Sequence, residues 1–318
     1  MSESAPARAA AGTILRDCLK VKGNEHLLIV TDDSTEAIAR EIWGFGFELG
    51  ARPMLMVMPT GSRNGEEPPR AVAEAMKGAD VVVCPTRFSL SHTRARREAC
   101  EGGARIATLP GITREIFEGG ALRADYAVVA KTAMVIAEML TNARRAIITG
   151  GGLRLEMSLE GRTGLADTGM IDRPGAFGNL PGGEAFIAPV EGTAEGEIAI
   201  DGSMLGGVMS EPLVLEFRRG ILQSARGPGA RELLQVLGET QEARNLAELG
   251  VGCNPLATLR GVVLEDEKVL GTVHVALGTN SSFGGKVSAG VHLDGVVRAP
   301  DLYLDGSRVI AGGKLLLH

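Results

Sequence analysis

The chain has 318 residues, 44% of them hydrophobic and 23% charged, so it has enough apolar residues for packed cores and is not a disordered chain. Its formal net charge is -6 and it has no dense run of lysine and arginine, so neither nucleic acid nor an anionic membrane is an expected partner. No apolar run approaches the roughly 18 residues of a membrane span, and no signal-peptide pattern is visible, so we expect a cytoplasmic protein.

The length favours two domains, and residues 1–145 are predicted to form the first, a Rossmann-like α/β domain. Apolar runs alternate with helical patterns here, which is typical of parallel βαβ units. Strands are predicted at 26–32, 53–58, 79–85 and 104–110, and helices at 34–50, 66–77, 90–102 and 131–145. No G-x-G-x-x-G motif follows a strand, so dinucleotide binding is not expected.

Residues 146–318 are predicted to form a β-rich, mainly antiparallel domain, because short alternating runs are separated by glycines. "GVVLEDEK" is among the predicted strands. One helix is predicted over 229–252, where Leu233, Leu237, Leu246 and Leu249 recur at roughly helical spacing. The predicted fold class is therefore α/β followed by α+β.

Two histidines and an aspartate near the C-terminus form the first candidate site. His292 and Asp294 in "VHLD" are two residues apart on a predicted strand, so their side chains share a face. His274 lies on the preceding strand, which would run antiparallel to it. Two imidazoles and one carboxylate suit Zn, Mn, Fe or Co, although each residue alone is more often a packed histidine or a turn aspartate.

Two glutamates add carboxylates to this candidate site. Glu184 follows a Pro-Gly-Gly turn at the entrance to an apolar strand, and Glu248 lies between apolar residues at the end of the predicted helix. Buried carboxylates need a partner, which is either a metal ion or an arginine, for which Arg244 and Arg260 are candidates. A further alternative is Cys253, which could be a nucleophile beside His274 but is more commonly a small buried apolar residue.

The segments "NLPGGE", "NLAELGVGCNP", "GTVHVALG" and "VHLDG" occur in an order that resembles the metallo-aminopeptidases of the aminopeptidase T/aminopeptidase S type. This resemblance covers residues 145–318 well. It implies a two-domain homodimer with a metal-binding catalytic domain at 146–318 that holds two divalent ions, Zn, Co or Mn. By position, the metal ligands it implies are Glu184, Glu248, His274, His292 and Asp294.

The first functional hypothesis is therefore an aminopeptidase-like metallohydrolase that cleaves an amide or peptide-like bond of a small molecule or short peptide with a metal-bound hydroxide. Two features depart from the peptidase pattern. The segment "GTNSSFGG" has no tyrosine where the family carries one to stabilise the tetrahedral intermediate. His274 and His292 are also only 18 residues apart, which is short for the family.

The same superfamily resemblance reaches the 2,5-dihydroxypyridine 5,6-dioxygenases, which use one Fe(II) on a face of two histidines and one carboxylate. In this alternative His274, His292 and Asp294 hold the iron. His92, in "SLSHTRARREA" after a predicted parallel strand, would be the catalytic acid/base of the N-terminal domain, or simply part of a helix cap. A third hypothesis is a metal-stabilised scaffold or small-molecule binder without activity.

Overall fold

A computed structural model describes residues 4–316 of the chain. The α-helices, numbered in chain order, are α1 (Ala5–Gly12), α2 (Glu36–Glu48), α3 (Arg70–Lys77), α4 (Arg94–Glu101), α5 (Arg114–Glu118), α6 (Tyr126–Asn142), α7 (Ala230–Leu237) and α8 (Val263–Asp266). A π-helix spans Thr13–Cys18, and a 3-10 helix spans Gly120–Arg123. Within residues 4–316, no helix combines the length and the apolar character needed to cross a bilayer.

The first ten strands are β1 (His26–Asp32), β2 (Arg52–Met58), β3 (Val81–Thr86), β4 (Arg105–Pro110), β5 (Arg145–Gly150), β6 (Leu153–Ser158), β7 (Leu165–Asp167), β8 (Phe177–Asn179), β9 (Glu184–Ile187) and β10 (Glu195–Ile200). The remaining strands are β11 (Ser203–Met204), β12 (Gly207–Val208), β13 (Leu213–Arg218), β14 (Ile221–Arg226), β15 (Leu246–Gly252), β16 (Val273–Gly278), β17 (His292–Val297), β18 (Asp301–Leu304), β19 (Ser307–Ala311) and β20 (Lys314–Leu315).

The described residues divide into two compact units. The first unit contains the residues up to Ala127 together with Gly169–Gly182, and the second contains Val128–Thr168 and the residues from Gly183 onward. This division differs from the predicted boundary between residues 145 and 146. Most of α6 belongs to the second unit, because its buried apolar residues pack in that unit's core. The segment 169–182 belongs to the first unit, because it contributes β8 to that unit's sheet.

The first unit is built on a five-stranded parallel sheet with the order β2-β1-β3-β4-β8. Every residue of β3 is buried, as is every residue of β1 after His26, which explains why these strands are continuous apolar runs in the sequence. The parallel sheet and its helices confirm the predicted α/β class for this part of the chain.

The second unit is dominated by antiparallel sheets, which confirms the predicted β-rich class. An eight-stranded sheet has the order β14-β13-β10-β6-β5-β18-β19-β20, and a five-stranded sheet has the order β17-β16-β15-β9-β7. Both sheets contribute apolar side chains to one core, among them Ile148, Leu215, Leu249 and Val275. The five-stranded sheet carries the candidate site residues of this unit.

The predicted helix over 229–252 is wrong in its second half, where the chain forms β15. A β-bulge explains the error. Leu246 pairs with Leu277, but Glu248 pairs with Ala276, so Ala247 is an extra residue in the strand. Leu246 and Leu249 therefore both face the core although they are three residues apart, a spacing that is otherwise typical of a helix.

The segment "GVVLEDEK" was predicted as a strand, and this is also wrong. It contains the short helix α8, whose Leu264, Glu265 and Asp266 are buried. Two carboxylates of this segment accept backbone hydrogen bonds: Glu265 from Thr258 N and Asp266 from Arg260 N. These local bonds hold the chain in turns that an extended strand could not form.

Candidate metal centre

One face of the five-stranded sheet is apolar and the other carries acidic residues and histidines. Directly opposed residues of antiparallel strands share a face. Glu184 is opposite Gly252, Gly250 is opposite His274, and Glu248 is opposite Ala276. Ala276 is in turn opposite Asp294, and Gly278 is opposite His292. The register therefore brings all five predicted ligands, Glu184, Glu248, His274, His292 and Asp294, to one face.

Small residues on β15 and β16 make room for these side chains. A Cβ atom at Gly250 would lie 1.9 Å from Nε2 of His274, so the imidazole ring lies directly over this glycine. The small residues Ala276 and Gly278 stand opposite Asp294 and His292. The bulge at Ala247 turns Glu248 to the same face, whereas its neighbour Leu249 stays in the core.

The side chains form a continuous cluster with Glu248 between the two histidines. His274 Nε2 lies 3.1 Å from Glu184 Oε2 and 3.4 Å from Glu248 Oε1. His292 Nε2 lies 3.4 Å from Glu248 Oε2 and 3.5 Å from Asp294 Oδ1. Three overlapping sets could each hold an ion: Glu184, Glu248 and His274; Glu248, His292 and Asp294; and Glu267, His274 and Asp294. That these residues bind metal stays a prediction.

Several polar atoms of the cluster are buried and make no hydrogen bond of normal geometry in the described part of the chain: Glu184 Oε2, both ring nitrogens of His274, and Asp294 Oδ1. The 3.1 Å approach of His274 Nε2 to Glu184 Oε2 is an ion-pair distance only. Unpaired buried polar atoms are costly, and coordination to a cation would satisfy them. His292 Nδ1 lies 2.9 Å from the carbonyl oxygen of Thr279. Because a carbonyl only accepts, Nδ1 donates, and in the neutral ring Nε2 keeps its lone pair for a metal. The donor set therefore fits a divalent metal.

The electrostatics of the cluster also favour a bound cation. Burial alone would raise the pKa of Glu248, but His274 and His292 lower it to about 2. Burial would lower the pKa of His292, but Asp294 and Glu248 raise it to about 12. His274 behaves in the same way, since Glu184 and Glu248 raise its pKa well above the usual value despite burial. The carboxylates thus attract positive charge to the ring nitrogens, and either protons or a metal ion can supply it.

Two residues of the cluster were missed from the sequence, Glu267 and Lys268. Lys268 is 1% exposed, and its Nζ lies 2.5 Å from Glu184 Oε1, 2.5 Å from Glu267 Oε1 and 3.7 Å from Asp167 Oδ2. Burial and the charge of Glu184 raise the pKa of Glu267 to about 8. The only signal in the sequence was the charged run "EDEK" between apolar residues.

The alternative partners weighed from the sequence lie elsewhere. Arg244 donates to the carbonyl of Gly238, and Arg260 lies 3.1 Å from Glu265 Oε2. The cation that pairs with Glu184 is Lys268. Cys253 is buried and its Sγ donates to the carbonyl of Val251 at 3.3 Å. Burial raises the pKa of Cys253, so the thiolate needed for nucleophilic attack does not form near neutral pH.

His92 lies in the first unit, in an exposed turn between β3 and α4. The N-cap of α4 is its neighbour Thr93, whose side chain accepts from Arg96 N. The carbonyl of His92 accepts from Arg97. His92 therefore belongs to a different unit from the five predicted ligands, and its catalytic role stays a prediction.

Part of this chain is similar in sequence to a curated protein. A curated 2,5-dihydroxypyridine 5,6-dioxygenase from Pseudomonas putida KT2440 is 26% identical over 171 residues. That alignment covers 48% of this chain and 48% of the relative, so it spans only about half the length of the curated protein.

Two solved structures resemble the whole chain. The 2,5-dihydroxypyridine dioxygenase of P. putida KT2440 has a TM-score of 0.83 at 19% identity and covers 99% of both chains. AmpT from Thermus thermophilus has a TM-score of 0.71 at 16% identity and covers 98% of this chain and 99% of its own. The predicted resemblance to both groups is thus confirmed at the level of the fold.

The family comparison is more specific. Residues 10–317 match the family described as NicX, 2,5-dihydroxypyridine 5,6-dioxygenase, which is nearly the full length of the chain. The chain therefore belongs to the NicX family of enzymes.

Proposed function

We propose that this protein is a mononuclear non-haem Fe(II) dioxygenase that opens the ring of a dihydroxypyridine-like substrate. We prefer this dioxygenase function to that of a two-metal hydrolase. The family match and the name of the curated relative support it. The observation that carries it is the position of Lys268.

Lys268 is a cation built into the side of the cluster where a second metal ion would bind. In two-metal sites the ions lie about 3.5–4 Å apart and share carboxylates, so a second ion here would need the negative charge of Glu184. The Lys268 ammonium already lies 2.5 Å from Glu184 Oε1. A metal ion on the same carboxylate would be repelled by this buried ammonium at short range. The cluster therefore suits one ion better than two.

In this proposal His274, His292 and Asp294 hold the single ion. They combine members of the three close sets, since no one of those sets contains all three, and they match the two-histidine, one-carboxylate ligand set of non-haem Fe(II) oxygenases with open coordination positions. Bound Fe(II) supplies the redox chemistry for adding both atoms of dioxygen to the ring. Glu248 orients the two imidazoles from its place between them. The carbonyl of Thr279 fixes the tautomer of His292, so that Nε2 faces the cluster.

The test is elemental analysis of protein purified without chelators, combined with anaerobic loading of Fe(II) and oxygen-uptake assays on 2,5-dihydroxypyridine. We expect one iron per chain and one dioxygen consumed per ring opened. Two zinc, cobalt or manganese ions per chain together with hydrolysis of aminoacyl anilides would overturn the proposal in favour of the hydrolase.

Glu184→Gln is an informative variant in the same experiment. Lys268 keeps Glu267 and Asp167 as partners, so we expect the fold and the content of one ion per chain to persist. Loss of one of two ions in this variant would contradict the mononuclear proposal. The homodimer implied by the resemblance is also a proposal, and light scattering of the purified protein tests it.

A further inference from the structure

The connection between β16 and β17, residues 279–291, is fixed to the second unit by polar anchors that are buried or half-buried. Glu191 Oε1 accepts from Asn280 Nδ2 at 3.1 Å and from the backbone N–H of Lys286 at 2.7 Å. Arg162 pairs with Glu191 and donates to the carbonyl of Gly284. The loop is therefore held at both its start and its middle, although it joins the strands of His274 and His292.

This loop carries Phe283 against the metal cluster. The ring of Phe283 lies edge-to-face with His292, with centroids 5.8 Å apart and an interplanar angle of 86°. The ring of Phe283 also lies edge-to-face with that of Phe186, with centroids 5.6 Å apart and an interplanar angle of 78°. Phe186 is two residues after Glu184 on β9, so it lies on the same face of the sheet as the predicted ligands. Both phenylalanine rings are only partly buried.

We propose that Phe283 and Phe186 form an aromatic wall that binds the flat face or edge of the substrate ring beside His292. The inference rests on the proposed dioxygenase function and names the residues that select an aromatic ring. Aromatic pairs favour offset or edge-to-face contacts, and both rings keep exposed surface for such a contact. The wall has no hydroxyl group, so it cannot donate a hydrogen bond to an oxyanion as a tyrosine would.

The anchors explain why the wall is rigid enough to select a substrate. Phe283 lies between Asn280 and Lys286, the two loop residues that Glu191 holds. Asn280 is fully buried, and its Oδ1 accepts from the backbone N–H of Val287 at 2.9 Å. The ring position is therefore set before substrate arrives, and little ordering of the loop is needed on binding.

The experiment compares Phe283→Leu, Phe283→Tyr and Phe186→Leu with wild type in the iron-loaded protein. The measurements are KM and kcat for 2,5-dihydroxypyridine, anaerobic calorimetric binding of the same compound, and iron content. We expect both leucine variants to raise KM and the dissociation constant about three- to tenfold, with kcat within about twofold and iron unchanged. Phe283→Tyr keeps the ring, so its KM, kcat and dissociation constant should stay within about twofold of wild type, with iron content unchanged.

Phe47→Leu is the matched control, because the ring of Phe47 also lies edge-to-face with another aromatic ring, that of Trp43. Phe47 belongs to the first unit and is 56% exposed. Phe47→Leu should leave binding and turnover unchanged. An unaltered KM and dissociation constant in Phe283→Leu would overturn the aromatic wall. Loss of iron with unaltered binding of the ring would also overturn it, because that result would show that Phe283 only supports His292. If the wild-type protein neither binds nor turns over 2,5-dihydroxypyridine, both the proposed function and the aromatic wall are refuted. If only the aromatic wall is wrong, the wild-type protein still turns over this substrate.

Discussion

Gly250→Ala should weaken metal binding by a purely steric effect on His274. The new Cβ would lie 1.9 Å from His274 Nε2, whereas an ordinary contact begins at about 3.4 Å, so the ring or the strand must move by about 1.5 Å. Metal–ligand distances tolerate only about 0.2 Å of deviation. We therefore expect the affinity for a divalent metal to fall at least about tenfold, comparable to the loss of a residue that orients a ligand.

The same displacement should lower the thermal unfolding midpoint of the metal-free protein, because His274 is fully buried and overpacking a core costs about 1–3 kcal/mol. The assay is competition with a chelator of known affinity on folded protein, with circular dichroism to follow unfolding. Gly150→Ala is the control, since a Cβ there meets no atom within 4 Å and its backbone is not left-handed.

The reasoning would be refuted by a Gly250→Ala protein that unfolds at a lower temperature but binds metal as tightly as wild type. That result would mean that the ring of His274 moves without consequence for the ion and is not a ligand. His274→Ala calibrates the measurement, because it removes the imidazole altogether. The metal affinity of Gly250→Ala should fall close to that of His274→Ala.

Three further predictions concern residues around the centre and in the first unit. Lys268→Met removes the buried ammonium, so elemental analysis after metal loading should show a second ion per chain, while Lys268→Arg should keep one. His92→Gln should lower kcat by about 100-fold or more if His92 is the acid/base, with metal content unchanged in elemental analysis. Burial would raise the pKa of Glu191, but hydrogen bonds from Lys286 and Asn280 lower it. The stabilisation of the folded protein by the Glu191 carboxylate is therefore complete above the usual glutamate pKa of about 4.3. It is lost as the pH falls through the lower pKa that Glu191 has in the folded protein. The thermal midpoints of wild type and Glu191→Gln should accordingly converge in acid, and equal midpoints at neutral pH would contradict this role.

The strands and helices were predictable from the sequence wherever the spacing of apolar residues fitted only one kind of secondary structure. The parallel strands β1, β3 and β4 are buried along almost their whole length, so their apolar runs match the predicted limits to within about two residues, whereas the short, half-buried β8 was not predicted. The error in the second unit arose where two patterns coincide. A bulge in β15 placed Leu246 and Leu249 on one face three residues apart, and this spacing cannot be separated from a helical period in the sequence.

The five candidate ligands were recognisable because histidines and carboxylates on apolar segments are chemically unusual, and the sheet register then brings them to one face. Lys268 and Glu267 were not recognisable, because they lie in an acidic run and Glu184, the partner of Lys268, is 84 residues away from it in the chain. In the proposed function, the number of ions depends on this distant lysine rather than on the candidate ligands themselves. Under this proposal, two chains with the same five candidate ligands could hold different numbers of ions, and the contacts of Glu184 would separate the two chemistries.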